Sequence, residues 1–311
     1  MRDDLETVFR DLRPYAFSIA YRMLGSVSDA EDIVQDAFLR LGQGTDEELR
    51  SPKAYVATVT TRLAIDALRV ARTRRETYVG PWLPEPLLDD GASDVQLAAE
   101  ISDSLSMAFL VVLETMSPLE RAVFLLHDVF SFDYDEIAKV VGKEEANCRQ
   151  VASRARRRVH DEKPRFEASR DQRDRLAGRF FAACQGRDMA GLVELLAADA
   201  VFYGDGGTKG SGVNRPIHGR DSIVGILLSW FGQGAGLGIV CDAVWINGQP
   251  GATFRDPDGR LINVIVLDIV DGSVQAVRSV INPDKLAHLG PLSPIGRRSK
   301  RQQWNADGPV S

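Results

Sequence analysis

The stretch Ser131–Val159 constrains the fold more than any other part of this chain. Its first half has the 3–4 apolar spacing of a short amphipathic helix, and Ser131 or Asp133 is available to cap the start. Gly142 follows, a residue that leaves helical geometry without a Cβ penalty. A second helix is predicted next, with one apolar face made of Cys148, Val151, Ala152, Ala155 and Val159. Two short helices around a glycine turn predict a helix-turn-helix.

The opposite face of the second predicted helix is polar and basic. It carries Glu145, Asn147, Arg149, Gln150, Ser153, Arg154 and Arg156. Between Arg149 and Arg158 there are five arginines and no acidic residue. Such a face is either a solvated helix end, favoured by the helix dipole, or a surface that reads the DNA major groove.

Composition narrows the class of protein. The net charge of −6 argues against a nonspecific, histone-like DNA binder but allows small basic patches on an acidic background. The three cysteines are scattered and the four histidines are never in ligand spacing with them, so we expect no disulfide, metal site or cofactor. The acidic N-terminus is unlike a signal peptide, and no apolar run is long enough to span a membrane. We therefore expect a cytoplasmic protein.

Two helices with opposite surface charge are predicted in the N-terminal third. After a first helix within residues 5–23, the segment Asp29–Leu41 is helical, with Ser28 and Glu31 forming a capping box. Its exposed face is acidic, which either serves solubility or forms a binding surface. A polar loop, Gly42–Arg50, precedes a third helix that starts at Pro52. The outward face of that helix and its end carry Arg62, Asp66, Arg69, Arg72, Arg74 and Arg75.

The segment Thr77–Asp94 is predicted to be an acidic, proline-rich linker. Three prolines exclude regular structure. Trp82, Leu83, Leu87 and Leu88 are nevertheless too apolar for a passive tether, and we expect them to dock on another part of the chain. Helices are predicted to resume at Val95–Met116 and again from Pro118.

After Pro164 the hydrophobic period changes from that of helices to that of strands. Helices are predicted at Asp171–Gln185, Met189–Ala197 and Asp221–Phe231. The strands predicted are Val201–Tyr203, Ile239–Ile246, Ala252–Arg255, Leu261–Val270 and Val274–Ile281. Helices followed by a curved antiparallel sheet predict an α+β cone with an interior. The tail from Pro291 has little to bury and is expected to be disordered.

These motifs together resemble a known family, the extracytoplasmic function (ECF) sigma factors. SVSDAEDIVQDAFLRL and SPKAYVATVTTRLAIDALR resemble sigma region 2, and the segment from Met116 to Val159 resembles region 4. The remainder resembles a SnoaL-like, nuclear-transport-factor-like cone domain. WLPEP at Trp82–Pro86 and NPDKL at Asn282–Leu286 match the subgroup that carries this extension, and its glycine-rich motif appears at 205–209 with Thr208 in place of a third glycine.

The resemblance implies a multidomain fold with two all-α sigma domains and an α+β SnoaL-like domain. Its expected boundaries are region 2 at 1–76, the linker at 77–95, region 4 at 96–163, the extension at 170–290 and a disordered tail at 291–311. It implies two partners, the RNA polymerase core through its beta-prime and beta subunits, and promoter DNA. The acidic linker would thread toward the polymerase active channel.

The resemblance also implies roles for residues of the two sigma regions. The coiled coil of the beta-prime subunit would be bound by Asp29, Asp32, Gln35, Asp36 and Arg40. The −10 element would be opened and read by the Gly42–Arg50 loop with Arg62, Asp66, Arg69 and Arg72. The −35 element would be contacted by Glu145, Asn147, Arg149, Gln150, Ser153, Arg154, Arg156 and Arg157. Among these, Arg149 and Gln150 reach base edges, and the later arginines hold phosphates.

For the extension, the resemblance implies regulation without a separate anti-sigma factor. The residues expected to hold the domains in place are Trp82, Leu83, Pro84, Glu85, Pro86, Asp205, Gly206, Gly207, Asn282, Pro283, Asp284, Lys285 and Leu286. A small-molecule ligand in the cone is a further possibility.

Two other functions stay open on the sequence. One is a one-component regulator that binds DNA without polymerase and senses a ligand in the cone. The other is a DNA-binding module fused to a SnoaL-type enzyme, with a cavity lined by Asp205, His218, Arg255, Arg278 and Asn282. Single polar residues in strands are more often structural, so no catalytic residue is predicted.

Overall fold

The structure is a computed structural model that describes residues 2–43, 51–75, 77–89, 104–162 and 169–297. The chain forms two compact units. The first contains Met1–Thr77 and Phe109–Lys163, and the second contains Tyr78–Ala108 and Pro164–Ser311. The linker sequence therefore belongs to the same unit as the C-terminal extension.

Three long helices begin the first unit. They are α1 (Arg2–Leu24), α2 (Val27–Leu41) and α3 (Pro52–Arg75). Buried side chains of Ala16, Val34, Leu41 and Val56 form their shared core. The predicted cap of α2 is wrong by two residues: Ser26, not Ser28, caps the helix, because its hydroxyl accepts the N–H of Asp29 at 3.2 Å.

The second group of helices contains the helix-turn-helix. It comprises α4 (Met107–Glu114), α5 (Pro118–Phe124), a π-helical turn (Leu125–Val129), α6 (Tyr134–Val141) and α7 (Glu145–Glu162). Asp133 and Glu136 form a capping box at the start of α6, whereas Ser131 lies outside the helix with a φ of 59°. Gly142 ends α6 in the left-handed region, at φ 64° and ψ 43°. The glycine turn between two short helices is thus as predicted.

Part of the predicted helix Val95–Met116 lies outside the described residues, which resume at residue 104. Within the described part, α4 begins only at Met107. No helix among the described residues is long and apolar enough to cross a membrane. The described ranges also contain no cluster of three or more residues able to hold a metal ion.

In its described residues, the second unit contains one six-stranded sheet and three helices of seven or more residues. The helices are α8 (Arg170–Gln185), α9 (Met189–Leu195) and α10 (Arg220–Gly236), followed late in the chain by the short α11 (Pro283–Leu286). The strands are β1 (Leu196–Asp205), β2 (Ile217–His218), β3 (Val240–Ile246), β4 (Gln249–Arg255), β5 (Leu261–Val270) and β6 (Ser273–Val280). Their order is β2-β1-β6-β5-β4-β3.

The sheet is mixed rather than antiparallel as predicted from the sequence. Every neighbouring pair is antiparallel except β1 and β6, which run parallel. Parallel strands need a long crossover, and here the whole β2–β5 segment separates the two partners. Turn residues indicate which consecutive strands form hairpins, but they do not indicate which strand pairs with β1.

The C-terminal boundary of the extension also differs from the prediction. Residues 291–297 are not disordered, since they pair with the start of β5 and with the glycine-rich loop. Leu261 N donates to Pro291 O, and Ser293 N donates to Leu261 O, each at 2.9 Å. Ser211 N donates to Gly296 O at 2.7 Å. Main-chain hydrogen bonds, together with packing of Ile295 against the core of the extension, order this segment. Residues 298–311 lie outside the described part of the chain.

Strand β5 is buried on both faces, which explains its continuous apolar run. Ile265 and Leu267 face the core packed under α8 and α10. Their neighbours Val264 and Val266, on the opposite face, are also fully buried. A strand covered on both sides needs a second layer, and the described residues 78–89 belong to the same unit as β5.

Candidate functional sites

An acidic surface with an apolar groove lies along α2 in the first unit. Asp29, Asp32, Gln35, Asp36 and Arg40, the predicted polymerase-binding residues, are all exposed on this helix. Beside them, Phe9 and Leu39 expose 39% and 58% of their surface. Exposed large apolar side chains next to charged ones are typical of a protein-binding surface.

The predicted −10 residues on α3 have different environments. Arg69 is exposed and pairs with Asp66 at 2.8 Å. Arg62 instead donates from Nε to Val140 O at 2.9 Å and from Nη2 to Lys139 O at 2.8 Å. It therefore caps the C-terminal end of α6, where a cation is favourable. The side chain of Arg72 and the loop beyond Gln43 lie outside the description.

The polar face of α7 is exposed as the sequence predicts. Cys148, Val151 and Ala152 are buried against α5 and α6. The residues exposed on the other side are Glu145, Asn147, Arg149, Gln150, Ser153, Arg154, Arg156 and Arg157. The apolar stripe of α7 thus fixes the helix, and its basic face is available to a partner.

Two arginines of α7 are held in place by neighbouring side chains. Arg149 donates from Nε to Glu145 at 3.2 Å and lies 4.7 Å from the centre of the Tyr134 ring. The hydrogen bond to Glu145 raises the pKa of Arg149 above its usual value. Arg156 donates to Asp128 at 2.6 Å and to the Tyr134 hydroxyl at 3.1 Å. Arg149 projects from the start of the helix with a defined orientation, whereas Arg156 also ties α7 to the preceding turn.

In the second unit, a buried carboxylate holds the linker. Asp205, at the end of β1, has no exposed surface. Its Oδ2 accepts the N–H of Leu83 at 2.8 Å and the ammonium of Lys285 at 2.7 Å, and its Oδ1 accepts the hydroxyl of Tyr78. Asn282 donates to the Tyr78 hydroxyl at 2.8 Å. We call Asp205, Asn282 and Lys285 the linker clamp.

Lys285 joins the clamp to the rest of the linker. Its ammonium also donates to Leu83 O and lies 4.1 Å from the centre of the Trp82 ring. A buried ammonium needs such partners to offset its desolvation. The four residues Leu83, Pro84, Glu85 and Pro86 are buried, and His288 Nε2 lies 2.8 Å from Pro86 O.

The two motifs of the extension shape this clamp. Gly207 has a φ of 52°, and a Cβ there would lie 2.7 Å from Asn282 Nδ2. Asn282 caps α11 by accepting from Asp284 N at 3.1 Å, which positions Lys285. Leu286 is buried, whereas Asp284 is exposed and pairs with Lys209 at 2.8 Å. Gly206 allows the main chain to pass close to Gly210, because a Cβ at position 206 would lie 2.8 Å from Gly210 O.

A second contact holds the far end of the linker on the β3–β4 turn. Asn247 exchanges two hydrogen bonds of 2.9 Å with Leu87, and Asp89 N donates to Trp245 O at 2.9 Å. Gln249 accepts the N–H of Met107 at 2.9 Å and donates to Asp268 at 2.7 Å. Residues on both sides of the undescribed segment 90–103 therefore contact this turn.

The sequence interpretation missed Tyr78, Asn247 and Gln249. Asn247-Gly248 is a dipeptide typical of hairpin turns, and it forms the turn between β3 and β4, with Asn247 at a φ of 54°. The burial of Asn247 and Gln249 is a tertiary property, and nothing in the sequence distinguishes them from solvated turn residues. Tyr78 adjoins the proline-rich segment, and an aromatic side chain at that position is the one sequence feature that could have indicated a contact with the extension.

Replacement of Tyr78 by phenylalanine is expected to weaken linker docking by about 1–2 kcal/mol, because the Asp205 carboxylate loses one donor. Burial, and then the charge of Asp205, raise the pKa of Tyr78. Released tyrosine ionises near its ordinary value of about 10, so docking that depends on the protonated hydroxyl is complete below that pH and is lost as the pH rises above it. Hydrogen exchange of the Leu87 amide measures docking.

The difference between wild-type protein and Tyr78→Phe isolates this residue from the other groups around it, Asp205, Lys285 and Asp284. The difference in docking free energy between the wild type and Tyr78→Phe should disappear as the pH rises above about 10. A gap that stays constant to pH 11 would show that the hydroxyl proton plays no part.

The cone cavity does not contain the five residues considered for it. Asp205 and Asn282 face the linker, and Arg278 pairs with buried Asp268 at 2.8 Å. Arg255 donates to Gly259 O, and His218 is exposed on the edge strand β2. The expectation that these residues line a cavity is wrong, because side chains on a strand alternate between faces and these five occupy other positions.

Family models match both helical segments. Sigma-70 region 2 matches residues 8–74, and Sigma-70 region 4 matches residues 106–159. Among curated proteins, the ECF RNA polymerase sigma factor SigJ of Mycobacterium tuberculosis H37Rv is 37% identical over 89% of this chain and 91% of its own length. The probable ECF RNA polymerase sigma factor SigI of the same organism is 30% identical over 92% and 96%.

The structure resembles a solved one over nearly its whole length. The crystal structure of Mycobacterium tuberculosis SigJ matches with a TM-score of 0.73 and 35% identity, covering 92% of this chain and 99% of that chain. The predicted fold class, two helical sigma regions followed by an α+β SnoaL-like cone, is confirmed.

Proposed function

Because the chain belongs to the ECF RNA polymerase sigma factor family, we propose that it directs the polymerase core to specific promoters through the residue sets described above. The observation that carries this proposal is the geometry of α7. Its apolar stripe is buried in the helix-turn-helix, and the side that bears Arg149 and Gln150 is exposed at the start of the helix. The N-terminal residues of such a helix contact base edges in the major groove. The site of action is then the cytoplasm.

The acidic face of α2 is the proposed contact for the beta-prime coiled coil, and the beta subunit is a further proposed partner. The groove lined by Phe9, Phe38 and Leu39 supplies apolar area beside the carboxylates of Asp32 and Glu31. Charge provides orientation and association rate, and apolar side chains provide contact area. A one-component regulator would have no use for this surface.

We expect the double substitution Asp32→Lys and Asp36→Lys to lower affinity for core polymerase by roughly tenfold or more, since two exposed carboxylates become cations. Binding of core to fluorescently labelled protein measures the effect. Asp242→Lys, at an exposed position on β3, is the matched control and should leave affinity unchanged. Equal affinities for all three proteins would remove α2 from the interface.

Arg62 has a role within the first unit that competes with its proposed contact at the −10 element. Its Nε and Nη2 donate to Val140 O and Lys139 O, which fixes the orientation of the guanidinium and limits its reach toward a DNA phosphate or base. We propose that this contact breaks when region 2 engages the promoter. In the described state Arg62 is bound to main-chain carbonyls of α6, whereas Arg69 pairs only with Asp66 on its own helix, so the proposed −10 surface is only partly available.

For the extension, we propose that it regulates by holding the linker. The clamp and the β3–β4 turn hold residues 78–89 at both ends, and residues 83–86 are buried. A linker held in this way cannot at the same time run extended through the polymerase. Release of the linker is therefore the step that this extension controls, in place of a separate anti-sigma factor.

In vitro transcription with purified core polymerase tests the proposal. The full chain should support initiation at a distinct set of promoters from a mixed template library, and core alone should not. Failure to form a complex with core, together with retained DNA binding, would favour the one-component regulator. The curated relatives that match most of this chain are named as sigma factors rather than as enzymes.

A further inference from the structure

The extension encloses a cavity of about 420 Å³ that the clamp does not use. Phe202, Trp230, Phe231 and Phe254 supply aromatic walls, and the other apolar lining residues include five isoleucines. The polar side chains among the described lining residues are all uncharged: Gln185, Ser211, Gln233, Cys241, Asn263 and Ser279. Burial raises the pKa of Cys241 to about 11, so its thiol is also neutral at physiological pH.

This lining selects a ligand class. A cavity of several hundred cubic ångströms with apolar walls and a few polar groups is typical of small-molecule sites. An ion entering it would lose hydration without meeting an opposite charge on the described lining residues, which is costly. A neutral, mostly apolar molecule would meet aromatic walls and could hydrogen-bond to Asn263 or Ser279. The chemistry of the lining therefore favours an uncharged aromatic or alicyclic compound.

The C-terminal end of α10 supplies a route of entry. Trp230 and Leu237 line the cavity and yet expose 37% and 53% of their surface. Between them the helix contains Gly232, Gly234 and Gly236. Each glycine in a helix interior costs about 1 kcal/mol relative to alanine, so these last turns open readily. The exposed apolar side chains mark the mouth.

One wall of the cavity is also the support of the linker clamp. Ile281 lines the cavity and is closely packed, since a Cβ on Gly212 or Gly296 would lie 2.9 or 2.7 Å from its side chain. Its main-chain N–H donates to Asp205 O at 2.9 Å, and the next residue, Asn282, binds Tyr78. The position of Ile281 and the geometry of the clamp are thus set together.

We propose that the cavity binds a neutral, mostly apolar small molecule and that this binding strengthens docking of the linker, an inference that rests on the proposed regulatory role of the extension. A bound molecule packs against Ile281 and restricts the main chain that carries Asp205 and Asn282. The coupling is reciprocal by thermodynamic necessity, so a docked linker must strengthen ligand binding by the same factor.

The test uses the full chain and N-phenyl-1-naphthylamine, a neutral aromatic probe whose fluorescence rises in apolar sites. We expect saturable binding of one probe per chain, with energy transfer from tryptophan that falls in Trp230→Phe, since Trp230 lines the cavity. Ile265→Phe adds volume to the cavity wall and should weaken binding by roughly tenfold. Val240→Phe, at an exposed position beside the cavity residues Ile239 and Cys241, is the control and should bind as the wild type does.

Gly234→Val provides a second variant should Ile265→Phe not fold. A Cβ at this position meets only Ile239, at 3.6 Å, so the side chain fits and narrows the mouth. It should slow probe association. Absence of saturable binding, or an unchanged affinity in Ile265→Phe together with an unchanged association rate in Gly234→Val, would overturn the site.

The coupling has its own readout. Saturating probe should slow hydrogen exchange of the Leu87 and Asp89 amides several-fold, and Asp205→Asn should weaken probe binding by a similar factor. Probe binding that Asp205→Asn leaves unchanged would overturn the coupling. None of these measurements uses polymerase or DNA, so their failure is distinguishable from failure of the proposed promoter function.

Discussion

Replacement of Asp205 by alanine is expected to release the linker, with a loss of docking free energy of about 3–5 kcal/mol. The carboxylate has no exposed surface and accepts hydrogen bonds from Tyr78, Leu83 and Lys285. Its removal leaves the Lys285 ammonium, whose side chain is only 8% exposed, without its counter-ion. An unpaired buried charge is the costly outcome of breaking a buried ion pair.

Hydrogen exchange at Leu87 and Asp89 measures this effect without ambiguity. Their acceptors, Asn247 Oδ1 and Trp245 O, are untouched by the substitution, so faster exchange reports release of the linker rather than loss of one bond. We expect exchange at least a hundredfold faster than in the wild type, which corresponds to about 3 kcal/mol.

Asp284→Ala is the matched control for Asp205→Ala. Asp284 lies beside Lys285 in sequence, but its side chain is 62% exposed and its ion pair with Lys209 is on the surface. Exposed pairs contribute about 0–1 kcal/mol, so exchange should change little. Equal effects of the two substitutions would show that the clamp does not depend on the buried carboxylate.

A second large effect is expected on promoter choice. Arg149→Ala and Gln150→Ala should each lower transcription from the preferred promoter by about 10- to 100-fold, because each removes a contact to a base edge. Both side chains are exposed on α7, and Arg149 is oriented by Glu145 and Tyr134. Run-off transcription from promoters that differ at single −35 positions measures the loss and its sequence dependence.

Arg157→Ala separates base reading from charge. Arg157 is exposed further along the same helix, where a phosphate contact is proposed. Its removal should weaken binding on all −35 sequences alike and reduce the salt slope by about one unit. If Arg149→Ala and Arg157→Ala have the same profile across sequences, Arg149 does not read bases. Core polymerase affinity should be unchanged in both variants.

The helical half of this fold is readable from the sequence because its signals are local. The apolar stripe of α7, the left-handed Gly142 and the exposed acids of α2 all follow from 3–4 spacing and capping residues. The predicted N-cap of α2, Ser28, is two residues from the observed one, Ser26, which is a typical error where two nearby serines could each cap the helix.

The extension is less readable because its decisive contacts join residues far apart in sequence. Five of the six described strands are predicted from the sequence, and β2 is not, but the parallel pairing of β1 with β6 brings Asp205 next to Val280 from the far end of the chain. That pairing creates the clamp, and only family resemblance suggested its members. The order of residues 291–297 likewise depends on main-chain bonds to Leu261 that no hydropathy pattern encodes.

Arg62 shows a different limit. Its exposure and charge were read correctly, yet its partners are two carbonyl groups of α6, more than seventy residues away in sequence. The sequence does not distinguish a basic side chain that binds a DNA phosphate from one that caps the C-terminal end of a helix. The structure separates these roles: Arg62 donates to two carbonyl groups of α6, whereas Arg69 pairs with Asp66 on its own helix.

Transcription by reconstituted holoenzyme on a library of randomised −35 and −10 elements tests the central claim most directly. With the full chain and core polymerase, we predict initiation at one preferred pair of elements, and with Arg149→Ala a loss of preference at individual −35 positions. Initiation that is equally frequent on all sequences, or absent although the chain folds and core is active, would contradict the account.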